Sequence, residues 1–203
     1  MRILVSLVVL AFLAGCGSSR QAPEKYSLMA HAVDAPSCRG EPSIKFHTPN
    51  VAPGIDTARI VVMDKPNHLT FYQGVAWSTP AGRVVQHFLA DSFEQSGMFS
   101  TVSTDLDTVP ADYEVESDLR AFHIDQSQGE PRLRIRLTAN VMRADGSHIL
   151  KSIVLKRDVP VGKARMQEIV AIYAEQMHSI AQELQERLGQ SIPGCRSHSQ
   201  ESL

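Results

Sequence analysis

The chain has 203 residues, a formal net charge of −2 and 43% hydrophobic side chains, which suits one globular domain with a short extra segment. Twenty Lys and Arg against 22 Asp and Glu leave no cationic excess to hold nucleic acid phosphates, so no nucleic acid partner is expected. A content of 21% charged residues is not that of a disordered chain, and three cysteines are one more than a single disulfide uses.

Arg2 and the apolar run from Ile3 to Leu13, broken only by Ser6, have the layout of a secretory signal. The run is too short to span a bilayer, which takes about 20 apolar residues. It leads into Leu13-Ala14-Gly15-Cys16, which resembles the lipobox of bacterial lipoproteins. That resemblance implies removal of residues 1–15 and lipid attachment at Cys16, with residues 16–25 as a lipidated tether. The alternative is an ordinary signal that leaves Cys16 a free thiol. Gly17 stands where an Asp would, in enteric bacteria, favour retention in the inner membrane, so the periplasmic face of the outer membrane is the expected location. Cys38 and Cys195 then remain, and a disulfide between them is expected in a compartment that permits one. Two unpaired, exposed thiols are the other reading.

Residues 26–56 read as extended or irregular, with Pro36, Pro42, Pro49 and Pro53 too close together for a long helix. Arg59 to Met63 is a β-branched apolar run that predicts a buried strand, followed by a turn over Asp64 to His68 and a second strand over Leu69 to Tyr72. Thr79 before Pro80 predicts an N-cap with proline at the first helical position. The helix runs to about Ser96, with Val84, Val85, Phe88, Leu89 and Phe93 at helical spacing and Gly97 as its C-cap. Tyr113, Val115, Leu119 and Ala121 alternate with charged residues. Leu133, Ile135, Leu137, Ala139 and Val141 alternate with Arg132, Arg134, Arg136, Thr138 and Asn140. With the Asp145-Gly146 turn these predict a three-strand antiparallel meander over residues 112–159. Lys163 to Leu188 predicts a long amphipathic helix ended by Gly189, whose Met and aromatic stripe is core rather than a ligand groove. Residues 189–203 read as a polar tail. The fold class is α+β: an antiparallel or mixed sheet with one helix between strands and a long C-terminal helix packed on one sheet face.

No Gly-rich phosphate loop, nucleophile elbow, metalloprotease histidine pair or paired-cysteine knuckle is visible, so no catalytic, cofactor or metal residue is named. The eight histidines are scattered and expected to be solvated. Arg132, Arg134 and Arg136 form a basic row, expected as a solvated face paired with carboxylates before it is a contact for lipid head groups or an acidic partner. Trp77 reads as a packing anchor.

Leu69 to Pro80, containing Tyr72, Trp77 and Pro80, resembles a structural motif of the ABC-type transport auxiliary lipoproteins, which include the paraquat-inducible protein C group. The Arg59-Ile60-Val61-Val62 strand, the turn at Gly97-Met98-Phe99-Ser100-Thr101-Val102 and a first strand at Tyr26-Ser27-Leu28 extend the resemblance over residues 13–188, with the domain itself at 26–188. Ser78 departs from the Ala often found there. The resemblance brings no catalytic residues. It implies a non-enzymatic outer-membrane lipoprotein of an intermembrane lipid transport system, whose partners are a mammalian-cell-entry domain protein and an ABC permease and ATPase. The exposed sheet face or an edge strand would carry partner contact or homo-oligomer formation. The rival is a periplasmic binding or envelope-assembly lipoprotein that holds an apolar ligand between the long helix and the sheet. A hydrolase is a weak third, since no nucleophile and base can be named.

Overall fold

A computed structural model describes residues 22–31, 36–38, 42–146 and 148–196. The expected signal segment and Cys16 lie outside the described residues. In chain order the elements are β1 (Glu24–Tyr26), β2 (Ser37–Cys38), β3 (Ser43–Phe46), β4 (Asn50–Val51), β5 (Arg59–Lys65), β6 (His68–Trp77) and α1 (Ala81–Ser96). There follow β7 (Thr101–Thr104), β8 (Tyr113–Asp125), β9 (Arg132–Arg143), β10 (Ile149–Pro160), α2 (Met166–Gly189) and β11 (Cys195–Arg196).

The spine is the predicted meander, β8, β9 and β10, each antiparallel to the next. Its central strand shows why it forms: Leu133, Ile135, Leu137, Ala139 and Val141 are each 1% exposed or less, and the residues between them point the other way. The opposite edge of β8 is tiled by three short parallel strands in series, β3, then β4, then β5. Outside them lie β7, parallel to β3, and β6, antiparallel to β5, with β1 parallel to β6. The sheet is therefore mixed and the class is α+β, as expected. Residues 26–56 hold more strand than their prolines suggested. Ile44 and Phe46 alternate into the core, and Pro42 and Pro49 flank β3 without interrupting it. The first strand ends at Tyr26 instead of beginning there.

Both helices cover one face, α1 against β3, β4 and β7, and α2 against β10 and α1. Trp77, Phe122 and Tyr173 meet at the centre, with ring centroids 4.8 to 5.5 Å apart. Burial of such rings contributes about 1.5–3 kcal/mol each, before the further gain from ring geometry.

Helix ends differ from expectation in three places. Thr79 makes no cap: Pro80 itself is the N-cap residue, with extended backbone at ψ 149°, and α1 starts one residue later. The Ala81 N–H, an orphan donor of the first turn, is taken by the Thr57 carbonyl at 3.1 Å. The long helix begins at Met166, three residues after Lys163, where the Glu168 carboxylate accepts the Arg165 N–H at 2.8 Å. Gly189 does not stop it but lies within it, before the C-cap Gln190. A Cβ there would sit 2.6 Å from Pro36 Cγ, so the glycine is needed for close approach of the N-terminal segment. Gly97, by contrast, ends α1 with φ 65°, a left-handed conformation that suits glycine.

The chain beyond α2 is not simply a polar tail. Ile192 is 3% exposed, and β11 pairs antiparallel with β2 with Cys195 opposite Cys38. The two sulfurs form a disulfide. Among the described residues no helix is long and apolar enough to cross a membrane.

Candidate interaction face

The helices leave the other face of β8, β9 and β10 open, and the pairing register lays its side chains in rows. Asp118, Thr138 and Val154 form one row, and Ala121, Arg136 and Lys156 the next. His123, Arg134 and Asp158 follow, then Asp125, Arg132 and Pro160. A break in simple alternation creates this pattern. The expectation that Ala121 points inward is corrected by a register shift in β8 between Leu119 and Ala121, where Arg120 is the extra residue. Phe122 and Ile124 then take the core positions, 1% and 0% exposed, opposite Ile135 and Leu133. Strict alternation would have driven His123 and Asp125 inward instead. Apolar burial selects the bulge.

The arginine row is paired in part. Arg134 meets Asp125 at 3.1 Å and Asp158 at 3.7 Å, Arg132 meets Asp158, and Arg120 meets Asp118 at 2.8 Å. Among the described residues Arg136 has no carboxylate partner. Burial raises the Asp125 carboxyl, but hydrogen bonds from Ser127 and the charges of Arg134 and His123 outweigh it and hold the group below the usual carboxylate range.

The histidines are not uniformly solvated. His123 is 7% exposed, and among the described residues neither ring nitrogen has a hydrogen-bond partner. Burial, with the Arg134 guanidinium, pushes its pKa down against the pull of Asp125. His47 Nε2 lies 3.0 Å from Glu114, and His178 stacks on His31 at 4.8 Å. The signal for His123 was present in sequence: it sits between Phe122 and Ile124, and a histidine flanked by two core residues on a strand is tied to a defined place on the other face.

Two of the concavities among the described residues open on this face. One, of about 320 Å³, lies where β3 gives way to β4 and is lined by His47, Asn50, Glu116 and Asp118. The other, of about 350 Å³, lies over the bulge and is lined by Arg120, His123, Arg134, Arg136 and Lys156. A polar clamp holds the chain beside the first. Asp105 accepts hydrogen bonds from Thr48 Oγ1 and Gln86 Nε2, both at 2.7 Å, with Arg83 at 3.4 Å. Burial opposes ionisation of Asp105, yet these donors together with Arg83 bring its pKa down to about 2.

The motif residues belong to the scaffold. Trp77 is 1% exposed, as expected of a packing anchor, and Tyr72 lies in a wide irregularity of β6, its hydroxyl accepting from Gln126 Nε2 at 3.2 Å. Pro80 opens α1. The three are not assembled around any shared chemical group. The space between α2 and the sheet, where the rival reading places a ligand, is filled by Trp77, Phe122, Tyr173 and Met177.

Protein XCC0632 from Xanthomonas campestris, assigned to family DUF330, is similar in structure with TM-score 0.72 and 22% identity, over 81% of this chain and 93% of that one. An uncharacterized protein is similar with TM-score 0.60 and 10% identity, over 82% of this chain and 99% of its own. At these identities the likeness shows the fold. No curated protein matches the chain. The family described as the ABC-type transport auxiliary lipoprotein component matches residues 26–185, from β1 through nearly all of α2. This chain belongs to that family.

Proposed function

We propose that the protein is a non-enzymatic lipoprotein held by Cys16 on the periplasmic face of the outer membrane, where it docks the periplasmic bridge of an intermembrane lipid transporter. The observation that carries this reading is positional: the family match opens at Tyr26, shortly after a lipobox-like Leu13-Ala14-Gly15-Cys16. A short tether would then place the domain at the membrane surface. Acyl chains at about 0.8 kcal/mol per buried methylene give a lasting anchor when more than one is attached. The partners are a mammalian-cell-entry domain protein and, through it, an ABC permease and ATPase.

Docking is assigned to β10 and the open face beside it. Among the described strands β10 pairs only with β9, so its outer edge offers a row of backbone donors and acceptors. Ile149 and Val154, 61% and 47% exposed, add apolar contact along that strand. A second copy of the chain can use the same edge, which is where self-association would occur.

Fractionation tests the anchor. The Cys16→Ser protein should leave the membrane pellet for the soluble periplasmic fraction after a salt wash. Retention of this variant in the membrane would overturn the anchor.

A further inference from the structure

We propose that the concavity over the β8 bulge is an anion site of phosphate chemistry, with Arg136 and Lys156 as its direct ligands and Arg120 and His123 completing its wall. The first observation is a charge conflict. Arg136 and Lys156 stand directly opposite one another across β9 and β10, an arrangement of like charges that destabilises a strand pair. Arg120, Arg132 and Arg134 each have a carboxylate, whereas among the described residues neither Arg136 nor Lys156 has one. An anion seated between them removes the repulsion.

The second observation is independent of charge. His123 is 7% exposed, lines the same concavity and, among the described residues, leaves both ring nitrogens without a hydrogen-bond partner; Arg134 Nε beside it makes no hydrogen bond and has only the Asp158 carboxylate at 3.7 Å. Buried polar atoms in proteins are overwhelmingly bonded, so the concavity stands over ring nitrogens of His123 that the described residues leave unpaired. Asp158 at the rim is already engaged by Arg132 and Arg134.

The geometry selects the ligand class. Cationic donors arrive from three strands, Arg120 on β8, Arg136 on β9 and Lys156 on β10, around a space of about 350 Å³. A tetrahedral phosphate presents acceptors in several directions and takes the arginine fork with two of them, whereas a planar carboxylate faces one donor plane. Two sources share this chemistry: free phosphate and the phosphodiester head group of a lipid. The inference stands on this face alone and does not depend on the transport reading.

Calorimetric titration of the full mature chain, purified from membranes in a nonionic detergent at fixed ionic strength, tests it. The probes are inorganic phosphate and glycerophosphoglycerol, a lipid head group without its chains. At least one should give saturable binding at one site. Arg136→Gln and Lys156→Gln, both at exposed positions, should each weaken it by about tenfold or more, while Lys151→Gln, exposed on the same strand, leaves it unchanged. Tighter binding of the phosphodiester identifies the lipid source, and tighter binding of phosphate the free anion. No saturable binding of either probe would overturn the site. So would full affinity in either the Arg136 or the Lys156 variant, or an equal loss in Lys151→Gln.

Discussion

Breaking the Cys38–Cys195 disulfide should destabilise the protein by about 2–5 kcal/mol. The bond joins residues 157 apart in sequence, and closing a loop of that length lowers the entropy of the unfolded chain by an amount worth about 5 kcal/mol at 25 °C in the chain-entropy model. Residual structure in the unfolded chain reduces that figure. The native ends do not depend on the bond alone. Pro36 packs on Gly189, Ile192 is buried, and β2 pairs with β11, so the reduced protein should keep its fold. The effect therefore falls mainly on the unfolded state. The Cys38→Ser/Cys195→Ser double variant avoids a stray thiol. Its urea unfolding, followed by fluorescence of the buried Trp77, should show a lower midpoint and a steeper denaturant dependence as the unfolded chain expands. A loss of this size lowers Tm by about 4–20 °C at about 2–4 °C per kcal/mol. Equal midpoints for the oxidised, reduced and double-variant proteins would refute the reasoning.

Other consequences can be measured in the same way. Trp77→Ala removes a ring that is 1% exposed and packed on Phe122 and Tyr173, and should cost about 3–5 kcal/mol in urea unfolding followed by circular dichroism. The Asp105 carboxyl is held at about 2 against an ordinary 3.8, so its contribution is present above pH 4 and lost as pH falls toward 2. With its side chain 29% exposed, that contribution is about 1 kcal/mol, and Asp105→Asn should flatten the loss of stability over this range by that amount. Thr79→Ala should change stability by less than about 0.5 kcal/mol because Thr79 caps nothing, whereas Gly97→Ala at φ 65° should cost about 1 kcal/mol. A large loss in the Thr79 variant would contradict the observed start of α1.

The elements best foreseen are those whose two faces differ in chemistry along their whole length. β9 shows five apolar residues alternating with arginines and polar side chains, and the stripe of α2 repeats over six turns, so burial on one side alone defines them. β3 and β4 are only 4 and 2 residues long, and two inward side chains among prolines do not make a readable period. The bulge at Arg120 was hidden for a different reason: alternation continues to Ala121 in sequence, and only the larger gain from burying Phe122 and Ile124 decides where the register shifts. That one displaced residue brings His123, Asp125 and the arginine row to a single face. Gly189 reads as a helix stop, but its role depends on contact with Pro36, far away in sequence. Nothing local in the sequence marks Lys156. Its position opposite Arg136 exists only in the paired sheet.

The transport reading is tested most directly by crosslinking the affinity-tagged, lipidated protein in its own cells and identifying what is retained after purification. The account predicts recovery of a mammalian-cell-entry domain protein, reduced when the β10 edge is blocked by Val154→Pro. Failure to retain any such protein would contradict it.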